Sequence, residues 1–470
     1  MMSTLKKNIA YNFIYQVLIL LLPLVTAPYL ARVIGASGVG SYSYTFTVAT
    51  YFVYIVKLGL DNYGNRTIAS VQNDRYLRSK QFCSIFALQL GCFGIAAALY
   101  ACYWVFFAQD KILTAVQGVY LLSSLFDINW FFFGIERFSI TVIRNTAIKL
   151  ITTVLIFIFV KTQNDVVTYT LIMSSGFLVS QLALWPFVPK YIDYFRPALR
   201  EIAVHIKPNA ILFVSVIAIS IYNMMSRLML GSMSGMEQVG YFENAAKLIS
   251  VPTALINAVG TVMLPRSSYL LSNGGGEESL RYVEKTITGV MCFSFLSLFG
   301  ITVISGGFVQ WFYGHGFDET AICLSILSVT VPILGFGNVI RTQYLIPSGG
   351  DRVFLLSAIC GAVVSLVANS VLIPTYGATG AAIASVAAES AVLSCQVMFV
   401  WRSIPVFDYA KKASVFLVSG VVMYCVLSII DAPQSNLLEI MSTAVVGSVV
   451  YGAVVLLEMS IVKAIKQGQL

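Results

Sequence analysis

The chain has 470 residues, with 29 Lys and Arg against 21 Asp and Glu and a formal net charge of +8. Hydrophobic residues make up 58% and charged residues 11%, and the mean hydropathy is +0.83. A soluble globular domain carries about 25% charged residues, so the composition excludes a soluble enzyme and predicts an all-α polytopic membrane protein.

Long apolar stretches dominate the chain. A spanning helix needs about 20 predominantly apolar residues, and about fourteen stretches meet that length. They are, in chain order, 9–34, 42–60, 82–107, 112–134, 142–160, 166–188, 208–231, 241–264, 287–312, 320–346, 353–374, 378–401, 413–431 and 437–461.

Basic residues recur in every second interval between these spans. Lys6 and Lys7 precede the first span, and 21 of the 29 basic residues fall on the same predicted side. The opposite intervals contain only Lys111 and Lys161. Because short cytoplasmic loops are enriched in Lys and Arg, both termini are predicted to be cytoplasmic. The net positive charge then reflects topology, and no nucleic-acid partner is expected.

A weak repeat relates the two halves of the chain at an offset of about 200 residues. Arg32 and Arg66 correspond to Arg227 and Arg266, although apolar segments also resemble one another by chance. Repeats of this kind build many carriers. The predicted layout is a six-helix lobe over 1–188, a cytoplasmic or interfacial linker over 189–207, a second six-helix lobe over 208–401 around a central cavity, and two additional helices over 402–470. The linker is either an amphipathic segment on the inner leaflet or a plain solvated connector.

Several charged residues lie inside predicted spans, where a charge costs about 2.5–3.5 kcal/mol. The cations are Arg32, Lys57, Lys149, Arg227, Lys247 and Arg341. Most lie near span ends, from which long side chains reach the interface, but Lys247 is deeper. We predict a cationic, substrate-binding cavity formed by Arg32, Lys57, Arg227, Lys247 and Arg341.

Three acidic residues in spans are candidates for ion coupling or charge pairing: Asp127, Glu243 and Glu389. Glu243 and Lys247 are four residues apart on one helix face and could form a structural ion pair. Alternatively, Lys247 contacts an anionic substrate while Asp127 or Glu389 carries a coupling H+ or Na+.

The sequence offers little for catalysis or metal binding. The eight Cys lie in or beside spans without a CxxC pair, and the two His are in separate loops. No phosphate-binding loop of the GxxxxGK[ST] type is present, and the outward intervals are too short for a catalytic domain. We therefore expect no enzyme activity, no catalytic residue, no metal and no cofactor.

Seven segments carry a resemblance to a known family: AYNFIYQ, PYLARVIGASGVGSYSY, LGLDNYGNR, SRLMLGSMSGMEQVGYFENAAKL, TVMLPRSSYLL, TQYLIPSGGDR and NSVLIPTYGATGAAIASVAAES. Together they resemble the Wzx-type oligosaccharide flippases, in the polysaccharide-transporter branch of the multidrug/oligosaccharidyl-lipid/polysaccharide exporter superfamily. Family members often have an Asp before the basic residue of the span-seven motif. Here Ser226 occupies that position, so a role for that carboxylate does not transfer.

The resemblance implies a function in the bacterial cytoplasmic (inner) membrane. The cargo would be an undecaprenyl-pyrophosphate-linked oligosaccharide, moved by alternating access from the cytoplasmic to the periplasmic leaflet for O-antigen, capsule or exopolysaccharide synthesis. Polymerase and chain-length proteins of the same pathway are candidate partners, besides the lipid bilayer.

Three other functions remain open. A multidrug/ion antiporter shares the two-lobe architecture, but a cationic cargo would prefer an acidic cavity. A flippase for the peptidoglycan precursor lipid II has similar cargo chemistry. A glycan polymerase or ligase would need a large extracytoplasmic loop, which the spacing of the spans does not provide.

Overall fold

The computed structural model describes the backbone of residues 2–430 and 436–466 and the side chains of 21–213, 216–221, 224–430 and 436–460. Four cations predicted to be cytoplasmic lie outside the described side chains: Lys6, Lys7, Lys463 and Lys466. Most of the interval between the last two predicted spans also lies outside the described residues.

Within the described residues all regular structure is helical. The α-helices are α1 Met2–Lys57, α2 Leu60–Ser70, α3 Arg75–Phe106, α4 Lys111–Leu125, α5 Asn129–Gly134, α6 Phe138–Phe159, α7 Val166–Leu182, α8 Leu199–Met233, α9 Met236–Ser272, α10 Gly276–Tyr313, α11 Asp318–Ser328, α12 Thr330–Ile340, α13 Asp351–Val400, α14 Val406–Ile430 and α15 Leu437–Lys466.

Twelve helical segments of the described chain are long and apolar enough to cross a membrane. The all-α membrane fold is thereby confirmed. Two of the helices, α1 and α13, contain 56 and 50 residues, about twice the length that a bilayer core requires. Each is two helices joined at a glycine with non-helical backbone angles, Gly35 (φ 71, ψ 176) or Gly377 (φ 52, ψ −130). The predicted total of fourteen membrane spans stays a prediction.

Several helices begin earlier than their apolar stretches. Asp74 and Asp110 accept hydrogen bonds from the backbone N–H groups of Leu77 and Leu113, at 3.0 and 2.8 Å, and so cap α3 and α4. Capping depends on a polar residue before the helix and not on hydropathy, so α3 begins at Arg75 and not near residue 82. The predicted span 112–134 is divided by a break between α4 and α5.

The chain forms two compact units, residues 1–220 and 221–470. The boundary falls inside α8, after the predicted linker. Gly35 in the first unit and Gly235 in the second lie 200 positions apart, and both have an extended backbone with positive φ (71° and 94°). Only glycine adopts this conformation readily. The predicted lobe boundaries at 188 and 208 stay a prediction.

The cytoplasmic linker predicted over 189–207 packs on the first turns of α3. The Arg75 guanidinium donates to both Asp193 carboxylate oxygens, at 2.8 and 2.9 Å, and Arg78 donates to the Tyr191 carbonyl. Lys80 pairs with Glu201 at 2.7 Å. The hydrogen bonds from Arg75 hold the pKa of Asp193 below its ordinary value. The segment is therefore docked in the first unit, and its residues from Leu199 onward are helical.

An aromatic core fixes the turn after α1. Trp130, Phe131 and Phe132 of α5 are almost fully buried with Phe82 of α3. Gly64 of α2 lies so close to Trp130 that a Cβ atom there would come within 2.8 Å of the indole ring.

Gly59, between α1 and α2, is expected to be essential for packing in the first unit. A Cβ atom at this position would lie 2.4 Å from Cβ of Leu212 in α8. We expect Gly59→Ala to lower the free energy of unfolding by about 1–3 kcal/mol through overpacking, measured by unfolding of the purified protein in detergent. Gly91→Ala is the control, because no atom lies within 4 Å of its added methyl group. Equal stability of the two variants would contradict this packing.

Candidate functional site: charged clusters in the two units

The first charged cluster is built around the end of α1. Lys57 is the last residue of that helix, and the following Leu58 has a left-handed φ of 45° that turns the chain into α2. The Lys57 ammonium lies 2.9 Å from Asp61 and 2.9 Å from Asp127. The Asp127 side chain is 8% exposed and that of Asp61 is 61% exposed. Asp127 therefore holds the lysine on the buried side.

Asp127 lies in the break between α4 and α5, and neighbouring amides hold it in place. Its Oδ1 atom accepts from the backbone and side-chain N–H groups of Asn129, at 3.1 and 2.6 Å. The Gln89 amide donates to the Asp127 carbonyl at 3.0 Å, and the Trp130 indole donates to Gln89. The backbone carbonyls freed by the break thus have hydrogen-bond partners, as an apolar environment requires.

The polar chain continues from Asn129 to a buried arginine. Arg144 of α6 donates to Asn129 Oδ1 at 2.9 Å and to Asn145 Oδ1 at 2.7 Å. It also donates to Gln181 Oε1 at 3.3 Å and to the Ser180 carbonyl, both on α7. A single hydrogen-bonded network therefore links α1, the α4–α5 break, α6 and α7.

The second cluster lies in the other unit. The Arg227 guanidinium of α8 donates to Glu243 of α9 at 2.6 Å, and the Lys247 ammonium lies 3.9 Å from the same carboxylate. Glu243 is therefore shared between two cations, and it is nearer to Arg227 than to Lys247. The Arg227 guanidinium also lies 6.0 Å from the centre of the Phe242 ring. With two cations and one carboxylate, this trio has a net charge of +1.

The two clusters therefore differ in charge. Lys57 has two carboxylate partners, so its trio with Asp61 and Asp127 has a net charge of −1. The sequence analysis placed Lys57 among the substrate-binding cations and gave a Glu243–Lys247 ion pair as one of two alternatives, and the structure contains that pair at 3.9 Å. In the structure Lys57 pairs with Asp127, and Glu243 bonds mainly to Arg227.

Arg32 and Arg341 lie at interruptions of their helices. Arg32 lies on α1 three residues before the Gly35 kink and is exposed. Arg341 begins a π-helical turn, Arg341–Leu345, and its guanidinium lies 5.5 Å from the centre of the Phe354 ring. π-helical turns are rare and occur often at functional sites.

Glu389 lies within α13 and is only partly accessible. No hydrogen bond or ion pair links its carboxylate to another residue of the described ranges. A buried carboxylate without a basic partner is costly to leave charged. Glu389 therefore differs from Asp127 and Glu243, which both have cationic partners.

Sequence reasoning missed the residues that join the first cluster. Asp61 lies four residues after Lys57, and this spacing is typical of a helical ion pair. The spacing alone therefore predicts that Asp61 is a partner of Lys57. Asn129 and Gln181 are uncharged amides inside the predicted spans 112–134 and 166–188, and nothing in their sequence context indicates a shared network. Arg144 lies near the start of the predicted span 142–160 and is buried in α6.

All eight cysteines are free thiols in the structure. Within the part of the chain that the structure describes, no three His, Cys, Asp or Glu side chains are grouped to hold a metal ion. Ser226, the position of the family departure, is buried, and its hydroxyl accepts from the Asn369 amide at 3.1 Å. A neutral hydrogen-bonded pair therefore occupies that position beside Arg227.

A family model described as "Polysaccharide biosynthesis protein" matches residues 5–271, more than half of the chain. The chain belongs to this family. A relative from Escherichia coli (strain K12) named "Putative O-antigen transporter" is 24% identical over 407 residues, which is 84% of this chain and 97% of the relative. A relative of the same name from Shigella dysenteriae is 24% identical over 381 residues, covering 80% and 95%. The resemblance to polysaccharide transporters is confirmed.

Two solved structures share the fold of this family member. The lipid II flippase MurJ, in an inward closed conformation, superimposes with a TM-score of 0.76 at 15% identity, over 95% of this chain and 97% of MurJ. An inward-facing multidrug resistance MATE family transporter of the MOP superfamily gives a TM-score of 0.59 at 14% identity, over 83% and 98%. The chain therefore shares the helical fold of these two proteins.

Removal of one partner of the Lys57–Asp127 pair is expected to destabilise the first unit. Lys57→Met leaves the buried Asp127 carboxylate without its cation, and we expect the free energy of unfolding to fall by about 3–5 kcal/mol. Asp61→Asn, at the exposed partner, should change it by less than about 1 kcal/mol. Both are measured by equilibrium unfolding in detergent.

The double variant Lys57→Met/Asp127→Asn removes both buried charges. It should lose less stability than the sum of the two single variants, because neither ion is left unpaired. Additive losses would show that the two side chains do not interact.

Proposed function

We propose that this protein moves undecaprenyl-pyrophosphate-linked oligosaccharides from the cytoplasmic to the periplasmic leaflet of the bacterial inner membrane by alternating access. The product would serve surface polysaccharide synthesis, either O-antigen, capsule or exopolysaccharide. The family membership and the transporter fold support export of a polysaccharide precursor. The two relatives named for O-antigen transport support this cargo class.

The net positive charge of the Arg227–Glu243–Lys247 cluster is the observation that carries the proposal. Two cations share one carboxylate, and both Glu243 and Lys247 lie in Met236–Ser272, a segment apolar enough to span the bilayer. Such an excess of positive charge is costly in a membrane unless an anion offsets it. A pyrophosphate supplies this charge, and arginine binds phosphate oxygens in a bidentate geometry. Glu243 holds the Arg227 guanidinium in position for that contact.

The remaining predicted cations take subordinate roles in this mechanism. We assign Arg32 and Arg341 to further contacts with the headgroup. Lys57, with its two carboxylate partners, positions the turn after α1 and does not bind the anion. The predicted lobes, 1–188 and 208–401, would rock about the linker 189–207, while the two added helices of 402–470 lie beside the prenyl chain. Polymerase and chain-length proteins would receive the exported unit.

Orientation gives the transport a direction. With both termini in the cytoplasm, outward movement of an anion across an inside-negative membrane gains about 2.3 kcal/mol per charge per 100 mV. Reporter fusions at the two termini test this orientation, because an alkaline phosphatase fusion is active only outside the cytoplasm. An active phosphatase at either end would contradict it.

A multidrug exporter and a lipid II flippase are the alternatives. The cationic cluster disfavours cationic drugs, which an acidic cavity would bind better. Lipid II presents the same pyrophosphate, so only the glycan distinguishes it. Vesicles containing either lipid II or a lipid-linked oligosaccharide, assayed with the same protein, separate these cargoes.

The cationic cluster is tested by transport in reconstituted vesicles. The assay measures the rate at which a lipid-linked oligosaccharide becomes accessible to a glycosidase on the far side. Lys247→Met and Arg227→Met each reduce the cluster charge to zero, and we expect at least about a tenfold lower rate, because hydrogen bonds to charged groups contribute about 1.5–3 kcal/mol. Glu243→Gln raises the charge to +2 and should retain binding of the anion.

Matched surface variants control for the loss of a charged side chain. Lys412 pairs with Glu284, and Arg266 pairs with Glu278 at 3.1 Å, all with side chains 39–54% exposed. Lys412→Met and Arg266→Met should transport at the rate of the unsubstituted protein. If Lys247→Met and Arg227→Met also do so, the cluster does not bind the cargo.

Glu389 is our candidate for ion coupling by H+ or Na+. A carboxylate without a described partner in an apolar helix needs a proton or cation to offset its charge, so its occupancy can bias the two access states. We expect Glu389→Gln to remove the stimulation of transport by an H+ or Na+ gradient while transport driven by membrane potential remains. Surface Glu278→Gln is the control. A gradient response that survives Glu389→Gln would exclude this role.

A further inference from the structure

The segment 189–207, which is docked on α3, contains charges of two kinds. Its two acidic residues are neutralised from α3, since Asp193 pairs with Arg75 at 2.8 Å and Glu201 pairs with Lys80 at 2.7 Å. Its Lys and Arg side chains are all exposed, and none of them makes a hydrogen bond or an ion pair within the described part of the chain. These four side chains, called the basic face below, are Lys190, Arg196, Arg200 and Lys207.

The helical part of the segment buries one side and exposes the other. His205 and Asn209 of α8 are four residues apart and buried, and His205 Nδ1 lies 2.8 Å from the Tyr63 hydroxyl oxygen of α2. At 3.6 residues per turn, Arg200 and Lys207 lie roughly 140° and 160° around the helix from His205. Both cations are therefore on the side of α8 that is opposite to its packed side.

Large apolar side chains flank these cations. Leu199 is 85% exposed, Val204 65% and Ile206 48%. These turns begin the helical segment Leu199–Ile221, which is long and apolar enough to cross a membrane, so they lie near one membrane surface. Exposed apolar side chains combined with Lys and Arg on the same helix are typical of contact with lipid at the boundary between headgroups and acyl chains.

The charge of the basic face determines which lipid suits it. Clusters of four to eight Lys and Arg beside a membrane-spanning helix are typical of sites for anionic lipid headgroups. A zwitterionic headgroup also carries a phosphate, but it brings a cation that the four positive charges repel. An anionic phospholipid has no such cation, and arginine binds phosphate oxygens in a bidentate geometry. The basic face therefore fits an anionic phospholipid better than a zwitterionic one.

We propose that the basic face binds the headgroups of anionic phospholipids, while Leu199 and Val204 insert between the adjacent acyl chains. In the predicted orientation of the chain, these lipids belong to the cytoplasmic leaflet. The site goes beyond the proposed transport function, because it binds resident lipids of the membrane and not the cargo.

Lipid binding to the purified full-length protein tests the proposal. Native mass spectrometry of the protein in detergent gives the Kd values of phosphatidylglycerol and phosphatidylcholine with identical acyl chains. One Lys or Arg near an anionic lipid surface changes the binding constant about fivefold, and we expect phosphatidylglycerol to bind at least about tenfold more tightly. The double variant Arg200→Gln/Lys207→Gln should reduce this preference at least about fivefold. It should keep the stability of the unsubstituted protein, because both side chains are exposed and have no described partner.

Arg266→Gln/Lys412→Gln is the matched control. Both cations are exposed and predicted to be cytoplasmic, but they pair with Glu278 and Glu284. The preference of this variant for phosphatidylglycerol should therefore equal that of the unsubstituted protein.

Three results would overturn the proposal. The first is equal binding of the two lipids by the unsubstituted protein, and the second is an unchanged preference in Arg200→Gln/Lys207→Gln. The third is an equal loss in both double variants, because the preference would then follow the total charge. Undecaprenyl phosphate, as a further probe, separates resident lipid from cargo. If it binds more tightly than phosphatidylglycerol and this binding is lost in Arg200→Gln/Lys207→Gln, the basic face belongs to the cargo and the proposal is wrong.

Discussion

The apolar bilayer sets the constraint on which the rest of this structure depends, because every charge and every freed backbone group inside it needs a partner. The Lys57–Asp127 pair, at 2.9 Å, shows how the chain meets it. The lysine ends one helix, and the aspartate fills the break in another. Asn129 and Gln89 then satisfy the groups that the break exposes. The irregular backbone between α4 and α5 is therefore tolerated in an apolar segment, because a polar network surrounds it.

The same constraint gives the two units different chemistry. In the first, acidic residues outnumber the cation that they hold, and the amide network around Arg144 extends to a polar cavity. In the second, two cations share Glu243. In the proposed function, the second cluster and not Lys57 contacts the anionic cargo.

Interruptions of the helices coincide with the candidate functional residues. Arg32 precedes the Gly35 kink, Asp127 occupies the α4–α5 break, and Arg341 begins a π-helical turn. Breaks of this kind are where membrane helices expose polar groups to a cavity. Side chains at such positions can change partners without unfolding a helix, which is what alternating access requires.

The sequence by itself determined the membrane class, the approximate spans and the charged residues that needed explanation. Hydropathy and the distribution of Lys and Arg are summed over many residues, so these predictions survive local errors, and the family resemblance added the transporter fold. Only the tertiary structure decided which charges meet. Asp127 is 70 residues from Lys57, and Arg144 reaches α7 across 36 residues. The partner of a charge depends on how helices pack, and apolar spans of similar composition give the sequence little information about their neighbours.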